Sequence, residues 1–385
     1  MAIAVDRVEA VRQTAREIAE RYNREYWLKC AREGRFTDEM WQAMCDAGLV
    51  GLSVPEEYGG SGGGVTELVA LMETLAENGV APLFLVVTGL TRVPIIKYGT
   101  PEQIERYVKP TITGEKKICF AITEPNAGTN TFKIQTLAQP TDDGWVLNGQ
   151  KVFISGANEA DYMLVVTRTT PYGQVEDRRQ GLSLFVIDAK SPGIEMSRLN
   201  IAVNWPEKQF QVFFNDVKLP KDALIGEEGR GTKYLFDGLN PERLLVAAMA
   251  IGTGDLALQR AVDYAKQRAP FGQPIGSYQG LQHPMAHAKA QLEAARLMMY
   301  NAAERFDNGD KSVGPYANMS KLLSSEAADA AVNVALQAHG GNGFDADYDI
   351  ITLWPMVRLM RVAPVNNEMV LNYIGEHVLG LPESY

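Results

Sequence analysis

The sequence predicts an α+β protein of three parts, ordered helices, strands, helices. Three observations carry that prediction. Apolar residues recur at helical spacing up to about residue 118. From about 119 to 226 they fall in short β-rich runs parted by turns. From about 227 to 385 the helical spacing returns over longer stretches. A chain of 385 residues is large enough for two or three domains.

In the first part, the opening stretch MAIAVDRVEAVRQTAREIAERY reads as an amphipathic helix rather than a leader peptide. Leu68, Val69, Met72, Leu75 and Ala76 form one face of another helix. Thr100-Pro101-Glu102-Gln103 reads as a helix start, with Thr as cap and Pro at the first helical position. In the middle part, Trp145-Val146-Leu147, Tyr162 to Thr167, Leu182 to Ile187 and Phe210 to Phe214 read as strands. Turns such as Thr141-Asp142-Asp143-Gly144 and Ser191-Pro192-Gly193 part them, and no helical crossover lies between. An antiparallel barrel or sandwich is therefore expected. In the last part, Asn240-Pro241-Glu242 reads as the N-terminus of a helix running to about Tyr264. Further helices are expected around 279–307 and 316–339.

Composition excludes several classes. The net charge of −10 argues against nucleic acid or an anionic membrane as the main partner. No apolar run of the roughly 20 residues that span a bilayer is read, so no membrane segment is expected. Cys30, Cys45 and Cys119 show no CxxC spacing and read as reduced, buried thiols of a protein inside the cell, in the cytoplasm. His283 and His287 lie at helical spacing, but a third ligand and an HExxH motif are missing, so no metal site is expected. The stretch Gly59-Gly60-Ser61-Gly62-Gly63-Gly64 lacks the lysine and the preceding strand of a phosphate loop. It reads as a flexible loop near the mouth of an active site.

Phe120-Ala121-Ile122-Thr123-Glu124-Pro125-Asn126-Ala127-Gly128-Thr129-Asn130 marks the passage from helix to strand. Such a loop offers backbone N–H and hydroxyl groups to a heterocycle or phosphate. It is preceded by Val54-Pro55-Glu56-Glu57-Tyr58-Gly59-Gly60 and followed by Asn148-Gly149-Gln150-Lys151-Val152-Phe153-Ile154-Ser155. Arg268-Ala269-Pro270-Phe271-Gly272-Gln273-Pro274-Ile275 and Gln337-Ala338-His339-Gly340-Gly341-Asn342-Gly343-Phe344 come next. These motifs, in this order over nearly the whole chain, resemble the acyl-CoA dehydrogenases.

The resemblance implies that family's fold, whose C-terminal domain is a four-helix bundle, and FAD bound between the β domain and the C-terminal helices. Phe120, Ile122, Thr123 and Thr129 match FAD-contacting positions of the first loop, and Phe153 and Ser155 those of the second. The hydroxyl matching Ser155 approaches flavin N5 in relatives. Arg268, Phe271, Gln279, Gln337, Gly340 and Gly341 match residues that hold the pyrophosphate and adenosine, partly across a subunit boundary. A homo-oligomer, tetramer or dimer, is implied. So are an acyl-CoA substrate, bound in part by Thr129, Asn240 and Arg243, and an electron-transfer flavoprotein as acceptor in fatty acid or amino acid catabolism.

The expected reaction removes a proton from the thioester α carbon and a hydride from the β carbon. Many relatives carry the base in a C-terminal motif resembling Y-E-G-T-x-E, whose glutamate position here is Pro364. Proline can neither act as a base nor offer an N–H to the thioester oxygen. In isovaleryl-CoA dehydrogenase and crotonobetainyl-CoA reductases the glutamate lies instead before an arginine near the start of a C-domain helix. Glu242-Arg243 matches that place, making Glu242 the expected base. Burial beside an acyl chain would raise its pKa to a useful range. Asn366 and Glu368 are assigned to the flavin side, with Glu368 the second choice for base. The alternative reading keeps the fold and FAD and makes the protein an enoyl-CoA reductase, an acyl-thioester oxidase or a desulfinase. A DNA-binding flavoprotein of the same fold would want a basic groove, which the net charge opposes.

Overall fold

The computed structural model describes residues 2–383. The first part holds seven helices: α1 (Ala2–Arg21), α2 (Arg24–Glu33), α3 (Asp38–Asp46), α4 (Val65–Glu77), α5 (Leu83–Tyr98), α6 (Pro101–Tyr107) and α7 (Lys109–Ile112). The expected start at Thr100 is a full capping box. The Gln103 N–H donates to Thr100 Oγ1 at 3.3 Å, and the Thr100 N–H donates to Gln103 Oε1 at 2.8 Å. α4 carries its predicted apolar face inward, with Leu68, Val69, Met72, Leu75 and Ala76 all buried.

The glycine-rich stretch before α4 is an ordered turn, not the flexible loop expected. The Ser61, Gly62 and Gly63 N–H groups donate to the carbonyls of Gly51, Val54 and Leu52. A Cβ on Gly60 would sit 2.1 Å from the Val54 oxygen, so only glycine fits. Asp307 then caps α4 from a distant helix end, accepting from the Val65 and Thr66 N–H groups at 2.7 and 2.9 Å.

The middle part is one sheet of β1 (Ile118–Ala121), β2 (Leu137–Thr141), β3 (Gly144–Ser155), β4 (Tyr162–Arg168), β5 (Leu182–Asp188), β6 (Ile194–Arg198), β7 (Gln209–Pro220) and β8 (Leu224–Ile225). Its order is β6-β7-β3-β2-β4-β5-β8, with β1 pairing β4. The sheet is mixed rather than purely antiparallel, because β1 and β2 both run parallel to β4. The chain leaves β1 and turns through the β2–β3 hairpin before β4 arrives beside β1. That intervening segment acts as the crossover a parallel pair requires.

The last part holds α8 (Gly231–Gln267), α9 (Gln279–Asp307), α10 (Val313–His339), α11 (Trp354–Met360) and α12 (Asn367–His377). α8, α9 and α10 pack together, with α12 against α10 and α4 against α8. At Gly252 a Cβ would lie 2.4 Å from the Glu73 carbonyl, so α4 and α8 touch backbone to backbone there. α9 has the predicted limits. α8 does not begin at Pro241: it starts ten residues earlier, and Pro241 lies inside it. Tertiary packing makes the early turns helical. Tyr234 and Leu235 are buried, and the Tyr234 ring stacks on Tyr98 at 3.9 Å between centroids. α8 is also long and apolar enough to cross a membrane by composition, contrary to the expectation, but 72% of its most apolar window is buried in the protein. It is the central core helix.

One ion pair ties the helix-to-strand loop to the sheet. Glu124 and Lys151 are 7% and 0% exposed, and Lys151 Nζ donates to Glu124 Oε1 at 2.8 Å and to the Ile122 carbonyl at 2.9 Å. The same carboxylate accepts from the Gln135 and Thr136 N–H groups at 2.7 and 3.0 Å. Burial pushes the Lys151 ammonium down to about 8, against the pull of Glu124. Removing one member of such a pair leaves the other charge uncompensated in the interior. Lys151→Met should therefore cost about 3–5 kcal/mol, seen as a lower denaturation midpoint than that of the parent.

Candidate active site

Three groups of the predicted residues come into view. The first is a strip on the middle domain. Thr123 and Val152 bond reciprocally: the Thr123 hydroxyl donates to the Val152 carbonyl, and the Val152 N–H donates to the Thr123 carbonyl at 2.9 Å. Just beyond, the β3–β7 register slips between Lys151 and Ile154. At this bulge Phe153 adopts φ +59°, and the residue is 58% exposed. A phenylalanine in the left-handed region is uncommon, and here it turns an aromatic face outward. Ser155 follows, half-buried and opposite Gln209 on β7. Phe120 and Ile122 are half-buried in the same strip, and Thr129 is exposed.

The second group lies on α8 and α12, two helices that both pack against α10. Glu242 is half-buried, and burial pushes its carboxyl up to about 7 while Arg243 pulls the other way. Burial likewise lowers the Arg243 guanidinium. Arg243 donates to Asn240 Oδ1 at 3.0 Å, one turn earlier on the helix. Asn366 caps α12, accepting from the Met369 N–H at 2.8 Å. Its Nδ2 reaches across to the middle domain and donates to Thr129 Oγ1 at 2.9 Å. That bond joins α12 to the first loop. Glu368 lies exposed in the first turn of α12, and Pro364 is exposed before it.

The third group gathers at one end of the bundle: Arg268 caps the end of α8, Gln279 opens α9, Gln337 lies in the last turn of α10, and Gly340 caps α10. Arg268, Gln279, Gln337, Gly340 and Gly341 are all exposed, and Phe271 is 83% exposed. The Asn342 amide fastens this end by donating to the Tyr264 hydroxyl at 3.2 Å, and the His339 ring stacks on Tyr264. Arg268 lies 26 residues beyond Glu242 on one helix, about 39 Å at 1.5 Å per residue. The fold therefore ties α12 to the first loop through Asn366 and Thr129 and holds the third group apart from Glu242. Among the described residues, no three His, Cys, Asp or Glu side chains cluster as a metal site.

Sequence reasoning assigned no role to Lys321, Asn367 or Gln209. Lys321 is fully buried on α10 and donates to Asn367 Oδ1 at 2.6 Å, where the Ser325 hydroxyl also donates at 3.2 Å. Burial lowers the Lys321 ammonium to about 8, Glu368 opposing and Arg243 reinforcing that shift. The sequence signal was a lysine on the buried face of an apolar helix. Gln209 carried none, because its pairing with Ser155 depends on long-range register.

Three family models match in order: the acyl-CoA dehydrogenase N-terminal domain over residues 6–115, the middle domain over 119–217 and the C-terminal domain over 229–379. Acyl-CoA dehydrogenase fadE12 of Mycobacterium bovis is 42% identical over 98% of this chain and 97% of its own. The caffeyl-CoA reductase–Etf complex subunit CarC of Acetobacterium woodii is 34% identical over 91% of this chain and 93% of its own. Butyryl-CoA dehydrogenase from Megasphaera elsdenii superposes with a TM-score of 0.91 at 30% identity, over 97% of this chain and 98% of the other. The chain belongs to the acyl-CoA dehydrogenase family of FAD-dependent oxidoreductases.

Proposed function

We propose that this protein oxidises an acyl-CoA thioester between its α and β carbons, with Glu242 taking the α proton. One observation carries the reading. Glu242 is a half-buried carboxylate raised to about 7 on α8, beside Arg243, which feels Tyr373 of α12, and the cap of α12, Asn366, is bonded to Thr129 of the first loop. A base must be ionised at working pH yet strong enough to take a weakly acidic proton, and a value near 7 serves both. Arg243, held by Asn240, keeps a cation beside it and orients the thioester end of the substrate.

The residues present suit FAD. Hydroxyls at Thr129 and Ser155 and the exposed Phe153 face furnish polar and aromatic contacts to a heterocycle. A Cβ on Gly128, Gly340 or Gly341 would meet nothing within 4 Å, which leaves backbone open to close approach. The exposed Arg268 guanidinium makes no ion pair among the described residues and offers paired donors to phosphate. When bound, FAD supplies the hydride acceptor at flavin N5. Because Arg268 and Glu242 are so far apart on α8, the reading assigns the Arg268 group to FAD held with a second subunit, in a dimer or tetramer. The electron acceptor is an electron-transfer flavoprotein.

A second reading runs the same site in reverse, as an enoyl-CoA reductase. The likeness to the caffeyl-CoA reductase subunit favours it. Anaerobic titration of the yellow protein with saturated and α,β-unsaturated acyl-CoAs separates the two. Bleaching of oxidised flavin by a saturated thioester supports dehydrogenation. Reoxidation of reduced flavin by an enoyl thioester alone supports the reductase.

Two predictions follow from Glu242. Glu242→Gln should slow flavin reduction roughly a thousandfold while acyl-CoA still binds, and equal bleaching in parent and variant would move the base elsewhere. The carboxyl is protonated below about 7 and works only when ionised. The kcat/KM for oxidation should therefore rise with pH through about 7 and level off above it, a rise that a pH series on Glu242→Gln should lack.

A further inference from the structure

Ser155 does not stand alone on the strip proposed to face the flavin. Past the bulge that turns out Phe153, the β3–β7 register resumes with Ile154 opposite Phe210 and Ser155 opposite Gln209. Gln209 is half-buried, with its backbone carbonyl engaged by the Leu199 N–H at 2.8 Å, so its main chain is fixed. Its Nε2 donates to Ser155 Oγ at 2.8 Å, and the Ser155 hydroxyl donates to its Oε1 at 3.1 Å. A serine hydroxyl has a single proton and accepts through its lone pairs. The amide N–H fills one lone pair at the shorter distance, while the proton rests on Oε1 through the longer contact, which a flavin acceptor can outcompete.

We infer that Gln209 is a positioning residue for flavin reactivity. Its amide N–H holds the Ser155 oxygen, and with FAD bound the serine O–H would exchange its longer contact to Gln209 Oε1 for flavin N5, the atom that receives the hydride. This rests on the reading that places Ser155 at the flavin. A hydroxyl with an undirected proton would spread its orientations between protein, water and flavin. Holding its oxygen beforehand limits that reorganisation. Gln209 touches neither substrate nor flavin in this account and acts through Ser155 alone.

The test compares parent holoenzyme with Ser155→Ala, Gln209→Leu, Gln209→Glu and the Ser155→Ala/Gln209→Leu double variant. The readouts are FAD content, the oxidised-flavin absorption band, the flavin midpoint potential and the anaerobic rate of flavin reduction by acyl-CoA. Gln209→Leu should move band and potential in the same direction as Ser155→Ala. It should slow reduction roughly tenfold, the worth of about one net hydrogen bond. The double variant should go no further than Ser155→Ala, since the two residues act on one proton. Gln209→Glu keeps size and shape but can only accept, so it should draw the serine proton away and perturb the flavin at least as much. If Gln209→Leu loses FAD or fails to fold, this near-isosteric variant decides. Parent-like band and potential in Gln209→Leu and Gln209→Glu, beside a shifted Ser155→Ala, would overturn the role given to Gln209. An unshifted flavin in Ser155→Ala would instead reject the placement of Ser155 at N5, and the inference with it.

Discussion

The buried pair of Glu124 and Lys151 holds together what the rest of the site depends on. Glu124 belongs to the loop that leaves β1, and Lys151 to β3 one residue before the bulge. Through them the loop carrying Thr123 and Thr129 and the strand carrying Phe153 and Ser155 become one rigid unit. The arrangement is costly in isolation, because desolvating two charges can outweigh their attraction. It is made tolerable by completeness: the carboxylate also accepts from the Gln135 and Thr136 N–H groups, and the ammonium also donates to the Ile122 carbonyl. An apolar pair could fill the volume but could not bind these backbone groups. The pair therefore makes sense as a specifier of loop geometry more than as a source of net stability.

A second set of charges governs the candidate base. Arg243 and Lys321 are two cations in the same interior region, each lowered by burial, while Glu242 is raised by it. Lys321 spends its charge on Asn367, fixing the first turn of α12 against α10. Arg243 is the cation that acts directly on Glu242, and it restrains the rise that burial alone would cause. The two effects have opposite signs, and burial wins. The result is a carboxyl poised near neutrality, neither permanently ionised as at a surface nor locked in its protonated form.

The layout of the fold was legible because it lies in periodicity and caps. The limits of α9 and the capping box at Thr100 need only neighbouring residues to form. The start of α8 was misread because Asn-Pro-Glu carries a genuine helix-start signal that tertiary packing overrides. The parallel pairing of β1 with β4 was invisible for a related reason: register is set between residues far apart in sequence. The site divides along the same line. Glu242, Arg243, Thr129 and Asn366 stand in motifs that can be matched position by position. Gln209, Lys321 and Asn367 matter only as partners, and a partner is defined by where the fold brings it.

The third group of residues extends this argument beyond one subunit. Phe271 and Phe344 are 83% and 70% exposed at the same end of the bundle as Arg268, Gln337 and Gly340. Large apolar rings held this far into water, beside a guanidinium that makes no ion pair among the described residues, suit a covering surface. Helix geometry keeps this end about 39 Å along α8 from Glu242. No rearrangement of side chains within the subunit closes such a gap, because α8 is the helix around which the core is packed. In the proposed assembly, the end of one bundle therefore serves the flavin of a neighbour. The rigidity of α8 that places the proposed base in its own subunit is then also what presents Arg268 to the next.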